Sequence, residues 1–291
     1  MSYLFAVLIS VFLISCNDDK IDFTSNDTEN VQNEAVSDSY AEDADDISSV
    51  ALSSDDATLN GKVSSSGRRV FKVADIGKRL DCAEVSIELA IDNTPDVPKG
   101  TITIDFGTGC TDPRGNIRKG IIRVKYSGRR FIANSTVETT FDGYSINGVI
   151  IEGTRTVTNI TGSTESAPKF NIVLIGGKST WPDGTFATRE VNRTREWIRA
   201  TIPLLDSWII TGSASGTNRR SRAYQMEITK PLVFKRECAS SNKVFIAVEG
   251  TKQLTVGDKV IVIDYGDGTC DNKITITING TSKEVEVDGD N

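Results

Sequence analysis

The sequence predicts an all-β protein. The expected form is an antiparallel meander, as an open twisted sheet or a sandwich-like arrangement, with two disulfide-bridged terminal β modules related by a diverged repeat. Three observations carry this. Polar and apolar residues alternate in Thr101-Ile102-Thr103-Ile104-Asp105-Phe106 and in Lys273-Ile274-Thr275-Ile276-Thr277-Ile278, the period of a half-buried strand. Turn dipeptides punctuate the chain at Asp142-Gly143, Asn147-Gly148, Asp183-Gly184, Asp267-Gly268 and Asn279-Gly280, and two alternating runs joined at Asn-Gly are a strong hairpin signal. No segment of the domain sustains helical periodicity over three turns.

The elements follow in chain order. Residues 1–15 read as a lipoprotein signal peptide. The uncharged apolar run from Tyr3 to Ile14 is shorter than the roughly 20 residues a membrane-spanning helix needs and has the length of a signal-peptide core. Leu13-Ile14-Ser15-Cys16 matches the bacterial lipobox, which makes Cys16 the expected site of lipidation, although the segment before the apolar run carries no Lys or Arg. Residues 16–64 read as an acidic, disordered tether. Between Asn17 and Thr58 stand 13 acids and one lysine, a local charge of −12; the whole chain is −7, so the remainder is −7 + 12 = +5. Such a stretch buries too little apolar surface to offset the entropy of ordering. Asn17-Asp18-Asp19-Lys20 resembles the acidic export tag of surface lipoproteins.

The rest divides into an N-terminal β module (65–130), a central β meander (131–235) and a C-terminal β module (236–291). Beyond Cys16, four cysteines remain: Cys82, Cys110, Cys238 and Cys270. An even number in an exported chain points to disulfides. Of the three possible pairings, Cys82–Cys110 with Cys238–Cys270 is preferred because each pair lies within one of two similar segments. Each bridge closes a loop worth about 3–4 kcal/mol in the chain-entropy model. The similarity is Ile104-Asp105-Phe106-Gly107-Thr108-Gly109 against Ile263-Asp264-Tyr265-Gly266-Asp267-Gly268, with the following cysteine offset by one residue. In the centre, Arg189 to Glu196 shows no apolar parity, so that strand is expected to be solvated on both sides or to line a wet groove.

The chain contains no histidine. This removes the usual general base at neutral pH, the commonest metal ligand and every Ser–His or Cys–His dyad. With the cysteines oxidised, thiolate chemistry and cysteine zinc sites go too. Only carboxylate chemistry of the glycosidase kind survives, and no pair of acids is marked as catalytic. Asp105 with Asp112, and Asp264 with Asp267 and Asp271, are candidate oxygen ligands for Ca²⁺. Their spacing is not that of an EF-hand, and Asp beside Gly is also what tight turns use, so no metal and no cofactor is assigned. Arginines cluster at Arg68-Arg69, Arg129-Arg130, Arg193/Arg195 and Arg219-Arg220-Arg222. Arg193 and Arg195, with Trp181 and Trp197, are the candidate binding residues; Trp208 is a further ring able to stack on a sugar.

The run from Asp105 to Gly120, with Pro231-Leu232-Val233-Phe234-Lys235-Arg236-Glu237-Cys238 and the Asp264–Lys273 segment, resembles a family of Bacteroidota lipoproteins. The resemblance implies a compartment and a lineage, and no activity, substrate or site. The expectation is therefore a non-catalytic lipoprotein of the outer membrane, facing the cell surface, that binds a glycan or a protein partner. An envelope structural or assembly component and a carboxylate-dependent glycoside hydrolase are the alternatives. The expected partners are the membrane, through the N-terminal lipid, and a glycan or envelope protein; nucleic acid is not expected.

Overall fold

The computed structural model describes residues 68–71 (backbone only), 80–113, 115–161, 167–242, 244 and 246–286. Residues 1–15, Cys16 and the acidic stretch to residue 64 lie outside the described residues. The first strands are β1 (Arg68–Phe71), β2 (Glu84–Leu89), β3 (Lys99–Asp105), the two-residue β4 (Cys110–Thr111) and β5 (Ile117–Ser127). Long central strands follow: β6 (Thr136–Ile146), β7 (Val149–Asn159), β8 (Lys169–Thr180), β9 (Phe186–Ile198), β10 (Ser207–Thr217) and β11 (Ala223–Lys235). A two-turn helix, α1 (Arg236–Asn242), then leads to β12 (Glu249–Val256), β13 (Lys259–Asp267), β14 (Lys273–Ile278) and β15 (Thr281–Glu286).

These strands form one open antiparallel sheet, through all three segments distinguished in the sequence. Each pairs with its neighbours in sequence, except that β4 stands aside on β5 and β3 pairs directly with β5. The register explains the core. Directly opposed residues run Ile87, Ile102, Val124, Thr139, Arg155, Leu174 and on through Val191, Ala214, Met226, Leu254, Ile261 and Ile278. Every member of this row is buried. Residues directly opposite share a face, so one face of the sheet is buried from β2 to β14. Among the described residues helix is confined to α1, a single turn at Pro203–Leu205 and the 3-10 residue Leu80. Inward side chains gather into a core over β2–β7 and a second over β8–β15, with a small cluster around Cys238.

Register shifts supply the curvature, since a bulge bends a strand and increases its twist. They occur in the pairings β5–β6, β6–β7, β7–β8, β8–β9, β10–β11, β11–β12 and β12–β13. Two glycines show how closely neighbouring backbones approach, Gly250 at a register shift and Gly216 in the unshifted β9–β10 pair. A Cβ on Gly250, whose φ is +104°, would lie 2.1 Å from the Pro231 carbonyl oxygen; one on Gly216 would lie 2.0 Å from that of Thr188.

The expectation for β9 needs correction. Ala187, Arg189, Val191 and Arg193 are buried, while Glu190 and Asn192 face solvent. The strand is therefore one-sided, with arginine on its inner face. Arg189 lies between Gly177 and Gly216, and Arg193 between Ile172 and Gly212. Glycine offers no side chain, so the arginine stem can lie flat across the neighbouring strand and bury its methylenes. The Arg189 guanidinium donates to the Tyr224 hydroxyl at 3.3 Å.

Cys82 is bridged to Cys110 and Cys238 to Cys270, with Cα atoms 5.7 and 5.1 Å apart. The repeated Ile-Asp-aromatic-Gly turns share one device. The Asp105 Oδ1 accepts the Gly107 N–H at 2.7 Å, and the Asp264 Oδ1 accepts the Gly266 N–H at 2.8 Å. The settings differ: Cys110 lies in β4 on the sheet, whereas Cys238 lies in α1. The two turns also leave the sheet at opposite strand ends, because Asp105 faces Glu84 at the start of β2 while Asp267 faces Glu249 beside the end of β11.

Candidate functional site

At the end of the sheet where β1 begins, arginines and aromatic rings are stacked in sequence. The Arg130 guanidinium carbon stands 5.9 Å from the centre of the Phe170 ring and 5.7 Å from that of Phe131. Phe131 and Trp197 are 5.9 Å apart, and Arg199 covers both at 5.8 and 5.2 Å. Trp197 stacks on Trp208 at 6.0 Å with 22° between the planes, and Arg236 closes the series 5.4 Å from the Trp208 ring.

The strands dictate this assembly. Trp197 and Trp208 are directly opposed on β9 and β10, so their rings must share a face. Phe170 opens β8, Phe131 sits in the connection from β5 to β6, and Arg236 begins α1. One acid organises the group. Asp206 is buried; its carboxylate accepts the Ala200 N–H at 2.9 Å and the Trp197 indole N–H at 3.1 Å, and lies 3.5 Å from Arg236. The Ala200 N–H chiefly holds its pKa below the ordinary carboxylate value; burial opposes this, while the indole and the charges of Arg236 and Arg199 add to it. The result is a half-exposed surface of guanidinium and aromatic faces gathered around one buried acid. Stacking on a ring uses the guanidinium face and leaves its edge donors the geometry to bind an oxyanion.

The candidates from the sequence fall in different places. Trp197 belongs to the stacked series. Arg195 lies on the same face of β9, opposed to Phe170 and Ile210, and Arg193 lies further inward. Trp181 is at the far end of the sheet, in the β8–β9 turn, under Arg219 at 4.5 Å; Arg219 donates to the Asp183 carboxylate at 2.6 Å.

The five aspartates serve turns or the core. Beyond Asp105 and Asp264, Asp267 accepts from the Thr269 hydroxyl at 2.7 Å and Asp271 from the Lys273 N–H at 3.1 Å. Asp112 is fully buried against Arg118, whose Nε and Nη2 stand 3.1 and 3.0 Å from its Oδ2. It also accepts the Asn116 N–H at 2.9 Å and the Asn116 amide at 3.2 Å. Among the described residues one group of three potential metal ligands converges, Glu237 with Cys238 and Cys270, and its two sulfurs are spent in the disulfide.

Sequence reasoning did not find Phe131, Arg199, Phe170 or Asp206. The available signal was the adjacency of basic and aromatic residues in Arg130-Phe131 and Trp197-Ile198-Arg199. Nothing local marks Asp206, whose partners are set by tertiary geometry. Comparison with protein-family models, with curated proteins and with solved structures finds no match for the chain.

Proposed function

We propose that this chain is a non-catalytic binding protein of the bacterial outer membrane, anchored through lipid on Cys16 and facing outward, and that it binds an acidic glycan at the arginine–aromatic end of its sheet. The observation that carries the reading is the stacked series from Arg130 to Arg236. Aromatic faces pack on the C–H faces of sugar rings, and stacked guanidinium groups supply paired donors to carboxylate, sulfate or phosphate. The lipobox and the following acidic stretch support the address.

Two features weigh against the alternatives. Assembly through sheet edges calls for a long unprotected edge strand, and β15 is six residues long with Lys283, Glu284 and Glu286 along it. Glycoside hydrolysis uses two carboxyl groups facing each other across a cleft, and Asp112, Asp183 and Asp206 are each engaged by an arginine.

Calorimetric titration with uronate-containing and neutral oligosaccharides of equal length tests the proposal. The acidic series should bind, more weakly as salt rises. Trp197→Ala should cost roughly tenfold in affinity, while Arg219→Gln, at the far end, should leave it unchanged. Equal binding of both series, or none, would reject the reading.

A further inference from the structure

We infer that the same end of the sheet seats on a lipid surface carrying anionic headgroups. The inference rests on the connections between strands and does not require a glycan ligand. In a meander every second connection lies at one end. Here four of the six connections at this end carry exposed aliphatic side chains among the described residues: Val97 after β2, Ile132 after β5, Ile160 after β7, and Ile202, Leu204 and Leu205 after β9. Single exposed aliphatics are ordinary, but a run of them along one rim marks an interaction surface. At the opposite end the exposed apolar residues Ile117, Ile150, Phe186 and Val260 lie at the starts of strands, outside the turns. The turns there are polar, as in Asn147-Gly148 and Pro182-Asp183-Gly184.

The connections are knitted into one rim. The Arg129 guanidinium donates to the Pro95 carbonyl at 3.0 Å, and the Asn134 N–H to that of Asn159 at 2.9 Å. Phe131 meets Trp197, and the Arg236 N–H donates to the Asp206 carbonyl at 3.0 Å. Arg130 shares its connection with Ile132 and Arg199 shares one with Ile202, while Trp197 and Trp208 stand at the adjoining strand ends. Aliphatic groups together with indole and guanidinium are the chemistry found at a membrane interface.

Where the chain enters the sheet agrees. Arg68 at the start of β1 faces Glu88 near the end of β2, so the segment carrying Cys16 joins at this rim. That segment holds a charge of −12, which leaves +5 on the rest of the chain.

Co-sedimentation with vesicles decides the matter, using residues 16–291 with Cys16→Ser so that no acyl chain contributes. This chain should bind phosphatidylcholine vesicles containing about one third phosphatidylglycerol and bind pure phosphatidylcholine more weakly. Ile202→Asp/Leu205→Asp should reduce the partition by roughly tenfold or more; both side chains are more than half exposed, at 58% and 51%, so the fold should persist and thermal melting will check it. Ile117→Asp/Ile150→Asp at the other end should bind like the parent. Failure of the parent to bind, equal binding by Ile202→Asp/Leu205→Asp, or indifference to phosphatidylglycerol would overturn the inference. Titrating Ile202→Asp/Leu205→Asp with the soluble acidic oligosaccharide separates the two proposals, because lipid binding should fall while glycan binding is kept.

Discussion

Asp112→Asn tests how the N-terminal module is held together. Asp112 and Arg118 are both closed to solvent, and the Arg118 guanidinium also lies 5.9 Å from the Phe106 ring. Asparagine has nearly the same shape and can still accept the Asn116 N–H, but it removes the charge that faces the buried guanidinium. Breaking a buried pair in this way costs about 3–5 kcal/mol. With a urea slope of about 1–3 kcal/mol/M, the unfolding midpoint should fall by about 1–5 M. Glu152→Gln is the control, because its pair with Lys178 at 3.3 Å is half exposed and such pairs contribute about 0–1 kcal/mol. The acid limb gives a second readout. Burial pushes the Asp112 pKa up, but hydrogen bonds from Asn116 and Arg118 and the charge of Arg118 outweigh it, and the net shift is down. A lowered carboxyl stabilises the fold fully above its unfolded value near 3.8 and loses that contribution as pH falls through the folded value. Asp112→Asn should therefore flatten the loss of stability on acidification. A midpoint shift no larger than that of Glu152→Gln would refute the reasoning.

Three further outcomes are expected. Gly250→Ala should destabilise by about 1–3 kcal/mol, because the clash is with the Pro231 carbonyl and no side chain can move aside; an unchanged denaturation midpoint would contradict this. The Asp206 pKa is lowered, so the stacked tryptophans should keep their near-ultraviolet circular dichroism below the usual aspartate range, and Asp206→Asn should remove that acid transition. Cys16→Ala should abolish metabolic labelling with a fatty acid; full labelling would rule out the anchor.

The all-β class was legible because alternation and Asn-Gly or Asp-Gly turns are local signals, and β3 with its alternating Gly100, Ile102 and Ile104 shows them plainly. The arginines of β9 were not legible in the same way. Arg189 lies between Gly177 and Gly216 and Arg193 beside Gly212, and the sequence does not say which residues of adjacent strands will be opposed once bulges have shifted the register. The aromatic cluster was half legible. Trp197 stood out by type, while Phe131 joins it from three strands away and Asp206 reaches it by hydrogen bonds that no local pattern announces.

The placement of that cluster follows from counting strands. The pairing path holds an even number of strands because β4 stands aside, so the chain enters and leaves the sheet at one end: Arg68 faces Glu88, and Glu286 faces Lys273 beside the end of β13. Insertion of one more strand into the path on the N-terminal side of β5 would send the segment bearing Cys16 to the far end, past Trp181 and Arg219. The stacked arginines, the exposed aliphatic tips and the point of attachment share one rim because the parity is even. Trp197, Trp208 and the arginines stacked on them, more than the residues at the disulfide turn of β3, are therefore the ones to test for recognition.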